Sequence, residues 1–467
     1  MSAPAAAWSW SPPTAARRPR WTSAVELFLV GEMGCQLALL APGLDRGWLR
    51  IFWRTGVFAA SLALLALLPG KTRRTPANVA ALWVLAILAF ELLHPATNSL
   101  AAGGAEVIMY LAILAPLFWM PRLRWDAHSF SRLLHLFWAY FTLSALTGLA
   151  QVYFPGRFEP RLSPVIASMG SAVEGLKITL ANGHQIFRPM GLTDTPGGAA
   201  DAGLWAVLFG LGFLLAARGH GRLLQRGLYF ASMIAGMVVI YLSQTRVLLV
   251  VVAVWIVALM GLLVWHRHWR QFALLLLLAG VLGVGSLRVA RGVGGAQMIA
   301  RLATLGGGGH GHVFQKARGE FLRQTFTELI PQYPLGAGLG RWGMMNTYFG
   351  HNRDPRRGRI YVEIQWQGWV LDGGVPLLAA YLALLAATMI SLGRLAARRG
   401  PMWSWAVLCL AYDIGVMALT FDYTPFTGES GLQFWFLNAL VLAAVGMAAR
   451  TRAPAPPPAH VHATGAL

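Results

Sequence analysis

Residues 225–265 read QRGLYFASMIAGMVVIYLSQTRVLLVVVAVWIVALMGLLVW. Drawn as one helix at 1.5 Å per residue, this stretch would be about 60 Å long, twice the roughly 30 Å hydrocarbon core of a bilayer. It is therefore two crossings, and they turn where polar residues interrupt the apolar run, at Ser243, Gln244, Thr245 and Arg246. The rest of the chain has the same character. Its 467 residues are 56% hydrophobic and 12% charged, with a mean hydropathy of +0.55, whereas soluble chains carry about 25% charged residues. Soluble globular, disordered, collagen-like and disulfide-stapled classes are excluded; the two cysteines, Cys35 and Cys409, both lie inside apolar stretches. The fold class is an all-α polytopic membrane protein, with membrane lipids as its first partner.

By length and apolarity the crossings number about twelve: residues 23–43, 48–69, 77–94, 103–120, 130–153, 198–217, 225–245, 246–265, 271–289, 364–392, 403–421 and 431–449. They make one transmembrane domain, 23–449, between two tails. Residues 1–22 are rich in Ala, Pro and Arg and lack the apolar core of a signal peptide. Residues 450–467 are Pro-rich and read as disordered. The net charge of +20 would point to nucleic acid in a soluble chain; here the basic residues sort by side of the bilayer, and no nucleic-acid partner is expected. Alternate connections carry Arg17, Arg18 and Arg20, then Lys71, Arg73 and Arg74, Arg122, Arg124 and Arg132, Arg218, Arg222 and Arg226, Arg267 and Arg270, Arg394, Arg398 and Arg399, and Arg450 and Arg452. The short connections opposite hold only Arg46. The positive-inside rule makes both tails cytoplasmic.

Two external loops, 154–197 and 290–359, are too long to be turns, and loops of that length in compact proteins commonly carry function. The first is nearly neutral. The second is strongly basic, with only Glu320, Glu328 and Asp354 against its arginines, so an external anionic partner is expected. Within it, residues 316–330 put Phe321, Leu322, Phe326, Leu329 and Ile330 at helical spacing ahead of Pro331, as in an amphipathic interfacial helix.

Arg246, with Ser243, Gln244 and Thr245 beside it, gathers several donors at one spot, as an anion site does; the structural alternative is an arginine that snorkels to the headgroups. Arg188, in the run Ile186-Phe187-Arg188-Pro189-Met190-Gly191, stands shortly before the sixth crossing and near the same surface. Gly336, Gly338 and Gly340 form a Gly-x-Gly-x-Gly turn followed by Arg341. Such a turn can bring backbone N–H groups to phosphate, but no strand precedes it, so a dinucleotide-binding fold is excluded. At the mouth of the tenth crossing Glu363, one helical turn from Gln367, is a candidate base. Asp372 lies deeper, where a carboxylate must face a cavity or a backbone N–H. The other acids in apolar stretches, Glu26, Glu32, Glu91, Glu106 and Asp413, fit structural hydrogen bonds or a proton relay. The His310/His312 and His460/His462 pairs lack companions at ligand spacing, so no metal is expected there.

Taken in order, four motifs make the chain resemble the O-antigen ligase and O-antigen polymerase family of bacterial membrane glycosyltransferases. They are Phe187-Arg188-x-x-Gly191 before a crossing, the Ser243-Gln244-Thr245-Arg246 turn, Pro334-Leu335-Gly336-Ala337-Gly338-Leu339-Gly340 in a long external loop, and Asp372-Gly373 in the next crossing. The resemblance covers about residues 154–381 in motifs and the whole chain in layout. It implies a GT-C-like helical fold in the bacterial inner membrane. It also implies an undecaprenyl-diphosphate-linked glycan as donor, a glycan or lipid-linked acceptor, and inverting transfer with no metal, cofactor or nucleotide sugar. In that scheme Arg188, Arg246 and Arg341 hold the diphosphate, and a base drawn from Glu363, His351 and Asp372 takes the acceptor proton. The ligases open the acidic crossing with a His-Asn pair nine residues before the acid; here that position is Glu363, and His351-Asn352 stands twelve residues earlier. Both stay candidates for the base. The departure points towards a polysaccharide repeat-unit polymerase of exopolysaccharide or cell-envelope biosynthesis more than towards a lipid A-core ligase. The other class open to the sequence is a transporter of a small, bicarbonate-like anion, which would use the buried acids.

The sidedness is tested by labelling. Single cysteines at Gly183 and Gly308 should react with a membrane-impermeant maleimide in intact cells, and cysteines beside Lys71, Arg222 and Arg398 should not. Reaction of the first pair only after the inner side is exposed overturns the assignment.

Overall fold

A computed structural model describes residues 20–41, 43–44, 47–160, 162, 173–174, 176–216, 223–303, 318–351, 353–398, 400 and 402–444. Residues 1–19, the C-terminal tail, Arg46, Arg218, Arg222, Arg399, the glycine run 306–309, His310, His312, Lys316 and Asn352 lie outside the described residues. Long helices form where the apolar segments predict them: α1 (Arg20–Leu40), α2 (Gly47–Leu67), α3 (Pro76–Glu91), α4 (Leu100–Leu114), α5 (Ala127–Tyr153), α6 (Gly198–Ala216), α7 (Leu223–Ser243), α8 (Arg246–Trp265), α9 (Trp269–Ala303), α10 (Gln365–Ala397), α11 (Trp403–Leu419) and α12 (Glu429–Ala443). Among the described residues, α1, α2 and α5 to α10 are the eight long and apolar enough to cross a membrane. A ninth is α4 taken with the turns that follow it, bent by 42°. Helices α3 and α11 are apolar but shorter, and α12 has 15 residues. The chain is thus a mostly helical, multi-pass membrane protein.

Three details depart from the sequence reading. The crossing expected to end at 289 runs on to Ala303 as α9, kinked at Gly295 (φ 63°). No proline interrupts residues 290–303, and Ala290 and Met298 find a partner surface in the first long loop. That surface is a hairpin of β1 (Lys177–Thr179) and β2 (Gln185–Phe187), with Ile178 opposite Ile186 and both buried. The Ala181 N–H donates to the Val293 carbonyl at 2.9 Å and ties the hairpin to α9. An all-α class therefore needs this one small sheet as its exception; three-residue strands are too short to show a period of two. Lastly, the amphipathic helix in the second loop extends from Arg318 past Pro331 to Gln332, with a π turn over Thr325–Leu329. It docks through ring pairs Phe321–Tyr361 and Phe326–Trp366 onto the start of α10.

The innermost crossing is α6, whose apolar window is 83% buried, against 17% for α9. Its sequence explains the difference. A Cβ built on Gly203 would lie 2.6 Å from the Gly236 carbonyl of α7, and one on Gly236 would lie 2.5 Å from the Gly203 carbonyl. The two backbones touch with nothing between them, the small-residue contact that holds helices together in lipid. On another face, Trp205 and Phe209 of α6 stack on Phe137 and Phe141 of α5 at centroid distances of 5.3 to 6.2 Å.

Two sets of long-range polar contacts mark two poles. At one, Arg122 donates to the Leu65 and Leu68 carbonyls at 2.8 and 3.1 Å, closing the end of α2, and Arg132 pairs with Glu26 at 3.1 Å. His135 meets the Tyr229 hydroxyl there at 2.8 Å. At the other, Arg50 and Arg54 of α2 hold Asp194 of the first long loop. Asn98 of the α3–α4 turn donates to the His351 and Arg357 carbonyls of the second loop at 3.0 and 2.7 Å. Each contact joins segments that the charge pattern puts on one side.

Substituting Gly236 with Leu should force α6 and α7 apart and cost about 1–3 kcal/mol, read as a lower melting temperature in detergent. Gly227, on the same helix with nothing within 4 Å of its built Cβ, is the control: Gly227→Leu should leave the melting temperature unchanged. Equal effects of the two would overturn the contact.

Candidate functional site

The second long loop does not stand away from the bundle. In an unbroken α10 the Val375 N–H would bond to the Leu371 carbonyl. Gly373 (φ −168°) and Gly374 (φ 63°) break the helix there, and both orphaned groups turn to the loop: Ala337 N–H donates to Leu371 at 2.7 Å, and Val375 N–H donates to the Pro334 carbonyl at 2.9 Å. Glycine is required at 374, where φ is left-handed and a Cβ would strike the Pro334 carbonyl. The loop then passes under the α3–α4 turn, where Leu339 N–H donates to Thr97 Oγ1 at 3.2 Å and Asn98 N–H donates to the Leu339 carbonyl at 2.9 Å. Gly340 N–H donates to Glu106 Oε2 at 2.5 Å. The Gly-x-Gly-x-Gly stretch is a structural turn whose Ala337, Leu339 and Gly340 N–H groups all bind protein acceptors.

This loop delivers Trp342 to the interior. Asp372 is fully buried and accepts from Trp342 Nε1 at 2.5 Å and from the Tyr110 hydroxyl at 2.8 Å. The Glu106 carboxyl lies beside it as well. Glu91 lies beside Asp372, and its Oε2 is buried without a hydrogen-bond partner. Asp372 is therefore sealed by neighbours, and Glu106 is the acid of the group that lines open space. That space is a cavity of about 330 Å³ bounded by Glu106, Trp342, Met344, the α11–α12 turn at Tyr423 and Thr427, and Ser430 at the start of α12.

The predicted residues fall into separate places. Arg341 is 8% exposed and spends its guanidinium on the Ala337 carbonyl at 2.8 Å and the Gly358 carbonyl at 3.1 Å, fastening the loop to itself. Burial pushes its pKa below the usual value, against the opposing pull of Tyr333 and Asp354. Glu363 is ion-paired with Arg318, which also reaches Asp422 at 3.3 Å, and it accepts the Tyr361 hydroxyl. His351 is exposed, its backbone clamped by the Asn98 amide; its neighbour Asn352 lies outside the described residues. Glu363 does not line the cavity, but its segment adjoins a lining one: Arg318 joins Glu363 to Asp422, next to the lining Tyr423, and Gln365 N–H donates to the Tyr423 carbonyl at 3.2 Å.

The segments that carry Arg188 and Arg246 come together at another corner. Gln151 of α5 accepts from Met190 and Gly191 N–H at 2.8 and 2.9 Å, and Ser144 accepts from Leu192 N–H at 3.0 Å, which fixes the 188–198 loop. The Gly197 N–H returns to the Arg188 carbonyl at 3.4 Å, and a Cβ on Gly197 would lie 3.9 Å from Thr245 Oγ1. The loop carrying Arg188 thus abuts the turn before Arg246. In that turn Gln244 has φ 54°, a left-handed conformation rare for a residue with a side chain, buried at 4% exposure.

Sequence reasoning missed Glu106 as a lining acid, Tyr110 and Trp342 as its companions, and Arg50 and Arg54. The two arginines lie one turn apart inside an apolar segment, and both bind Asp194; buried Arg50 keeps Nε and Nη1 without hydrogen-bond partners. An ionisable pair in an apolar helix was the available signal. By contrast Glu26, Glu32 and Asp413 have structural partners in Arg132, Gln433 and Asn438. Among the described residues no three His, Cys, Asp or Glu side chains stand together to hold a metal. No family model matches the chain, and no curated protein matches it in sequence.

Replacing Asp194 with Ala should destabilise the protein by about 3–5 kcal/mol, because it strands buried Arg50 without its counter-charge. Adding Arg50→Leu and Arg54→Met to that variant should recover part of the loss. An unchanged melting temperature in the single variant would overturn the role given to the pair.

Proposed function

We propose that the chain is a metal-independent, inverting glycosyltransferase of the bacterial inner membrane, a GT-C-like protein of twelve crossings with both termini in the cytoplasm. Its donor is an undecaprenyl-diphosphate-linked glycan at the outer leaflet, and its activity is that of a polysaccharide repeat-unit polymerase or an O-antigen-ligase-like enzyme. The observation that carries this reading is the corner at which the Arg188 loop abuts the Thr245–Arg246 turn, on the pole that the charge pattern puts outside. Two guanidinium groups at the membrane surface suit a lipid diphosphate, which each can grip with paired N–H donors.

In the reaction an acceptor hydroxyl attacks the anomeric carbon from the face opposite the diphosphate, the carbon–oxygen bond to the diphosphate breaks, and a base takes the hydroxyl proton. Arg188 and Arg246 offset the charge that grows on the departing group. Arg341 supports the site by holding its loop in shape. Glu363 is the base in this reading: Arg318 and Tyr361 fix its carboxylate. His351 is the competing base, and Asp372 orients Trp342 from below.

A transporter of a small anion is the second reading, favoured by the buried group Glu91, Glu106 and Asp372. Against it, Glu106 and Asp372 lie within the first two to three turns of α4 and α10, at the same pole as the long loops, whereas transporter sites meet near the midplane.

Transfer from a lipid-linked donor in proteoliposomes tests the proposal. Arg188→Ala or Arg246→Ala should lower turnover by about 10²–10³-fold, as loss of a group that stabilises developing charge does, and Arg→Lys at either position should restore only part. Wild-type turnover in both alanine variants would sink the donor site. Glu363→Gln should abolish transfer; near-normal transfer in that variant with loss in His351→Ala would give the base to His351.

A further inference from the structure

The cavity between Trp342 and the α11–α12 turn has no ligand in the scheme above. We propose that it is a binding site for a neutral, polyhydroxylated sugar unit, held by Glu106 and by the hydroxyls of Thr427 and Ser430. Its use as the acceptor subsite rests on the transferase reading; the sugar site itself does not.

The walls decide the ligand class. At about 330 Å³ the cavity falls at the lower end of the roughly 300–1,000 Å³ found for small-molecule sites. None of its described lining residues is Lys, Arg or His, so an anion would enter unmatched beside the Glu106 carboxyl. The hydroxyls are already committed as donors: Thr427 Oγ1 donates to the Thr424 carbonyl at 3.1 Å and Ser430 Oγ donates to the Pro425 carbonyl at 2.8 Å. What they offer the cavity is lone pairs, and the Glu106 carboxyl adds further acceptor capacity. A ligand rich in hydroxyl protons satisfies such walls. Trp342 and Met344 supply the apolar surface that the C–H faces of a sugar ring need. The Glu363–Arg318–Asp422 group adjoins the lining segment at Tyr423, which puts the proposed base in the neighbourhood of this site.

Aromatic and acidic walls also suit an alkylammonium ion, which the test separates. Saturation-transfer NMR on the protein in nanodiscs would use glucose, galactose, mannose and N-acetylglucosamine as individual probes, with glucuronate and choline as counter-probes. At least one neutral sugar should show transfer. That signal should fall by about tenfold or more in Thr427→Trp and in Met344→Trp, which fill the cavity, and by about fivefold in Ser430→Ala, which removes one acceptor. Melting temperatures report whether each variant is folded. No transfer to any neutral sugar, transfer undiminished in every folded variant, or stronger binding of choline or glucuronate at this site would overturn the proposal. Donor consumption keeps the two ideas apart. If wild-type protein consumes lipid-linked donor and Thr427→Trp leaves the acceptor dependence unchanged, the acceptor subsite fails and the transferase stands. If sugar binding disappears in the filled variants but wild-type protein consumes no donor, the sugar site stands and the transferase fails.

Discussion

Two backbone groups in the middle of α10, the Leu371 carbonyl and the Val375 N–H, cannot bond to each other once Gly373 and Gly374 break the helix. In lipid an unsatisfied peptide group costs several kcal/mol, so the break requires another strand of backbone to sit in it. Residues 334–337 are that backbone, and their two hydrogen bonds to α10 set the depth of everything that follows in the loop. Trp342 reaches Asp372, Gly340 reaches Glu106, and Arg341 ties the loop to Gly358 because the chain enters at this one place. The glycines on both sides are part of the same constraint: a Cβ on Gly338 would lie 2.4 Å from Thr97 N, and one on Gly374 would strike Pro334.

Buried charge is handled by neighbours from distant parts of the chain. Asp194 joins two helix arginines to a loop, Arg318 joins two acids on separate elements, and Asp372 collects a phenol, an indole and a second carboxyl. An isolated charge at Asp194 or Asp372 would be costly in a low-dielectric interior, so there each partner fixes the position of the next. The polar groups therefore act as register marks for loops that have little apolar surface of their own to bury.

What could be read in the sequence follows from range. Hydropathy is local, so helix positions were legible, including the turn at Ser243 to Arg246, where α7 ends and α8 begins. The break in α10 was not, because Asp372-Gly373-Gly374 in an apolar run gives no sign of the loop that fills it. Arg50 and Arg54 passed as part of a crossing since their counter-charge, Asp194, is more than a hundred residues away. Tyr110 and Trp342 read as ordinary apolar bulk until an acid appears against their polar atoms. For Glu363, the partner Arg318 sits on the amphipathic helix of the same loop, and its pairing depends on how that helix docks. The hairpin of β1 and β2 was too short to reveal any alternation.

The corner at Arg188 hangs on α5, through Gln151 and Ser144, whereas the cavity at Trp342 hangs on α4, α10 and the α11–α12 turn. The two regions share a pole but not a scaffold. For the history of such a protein this means separable inheritance: a change at residues 423–430 can reshape one region without loosening the clamp on residues 188–198.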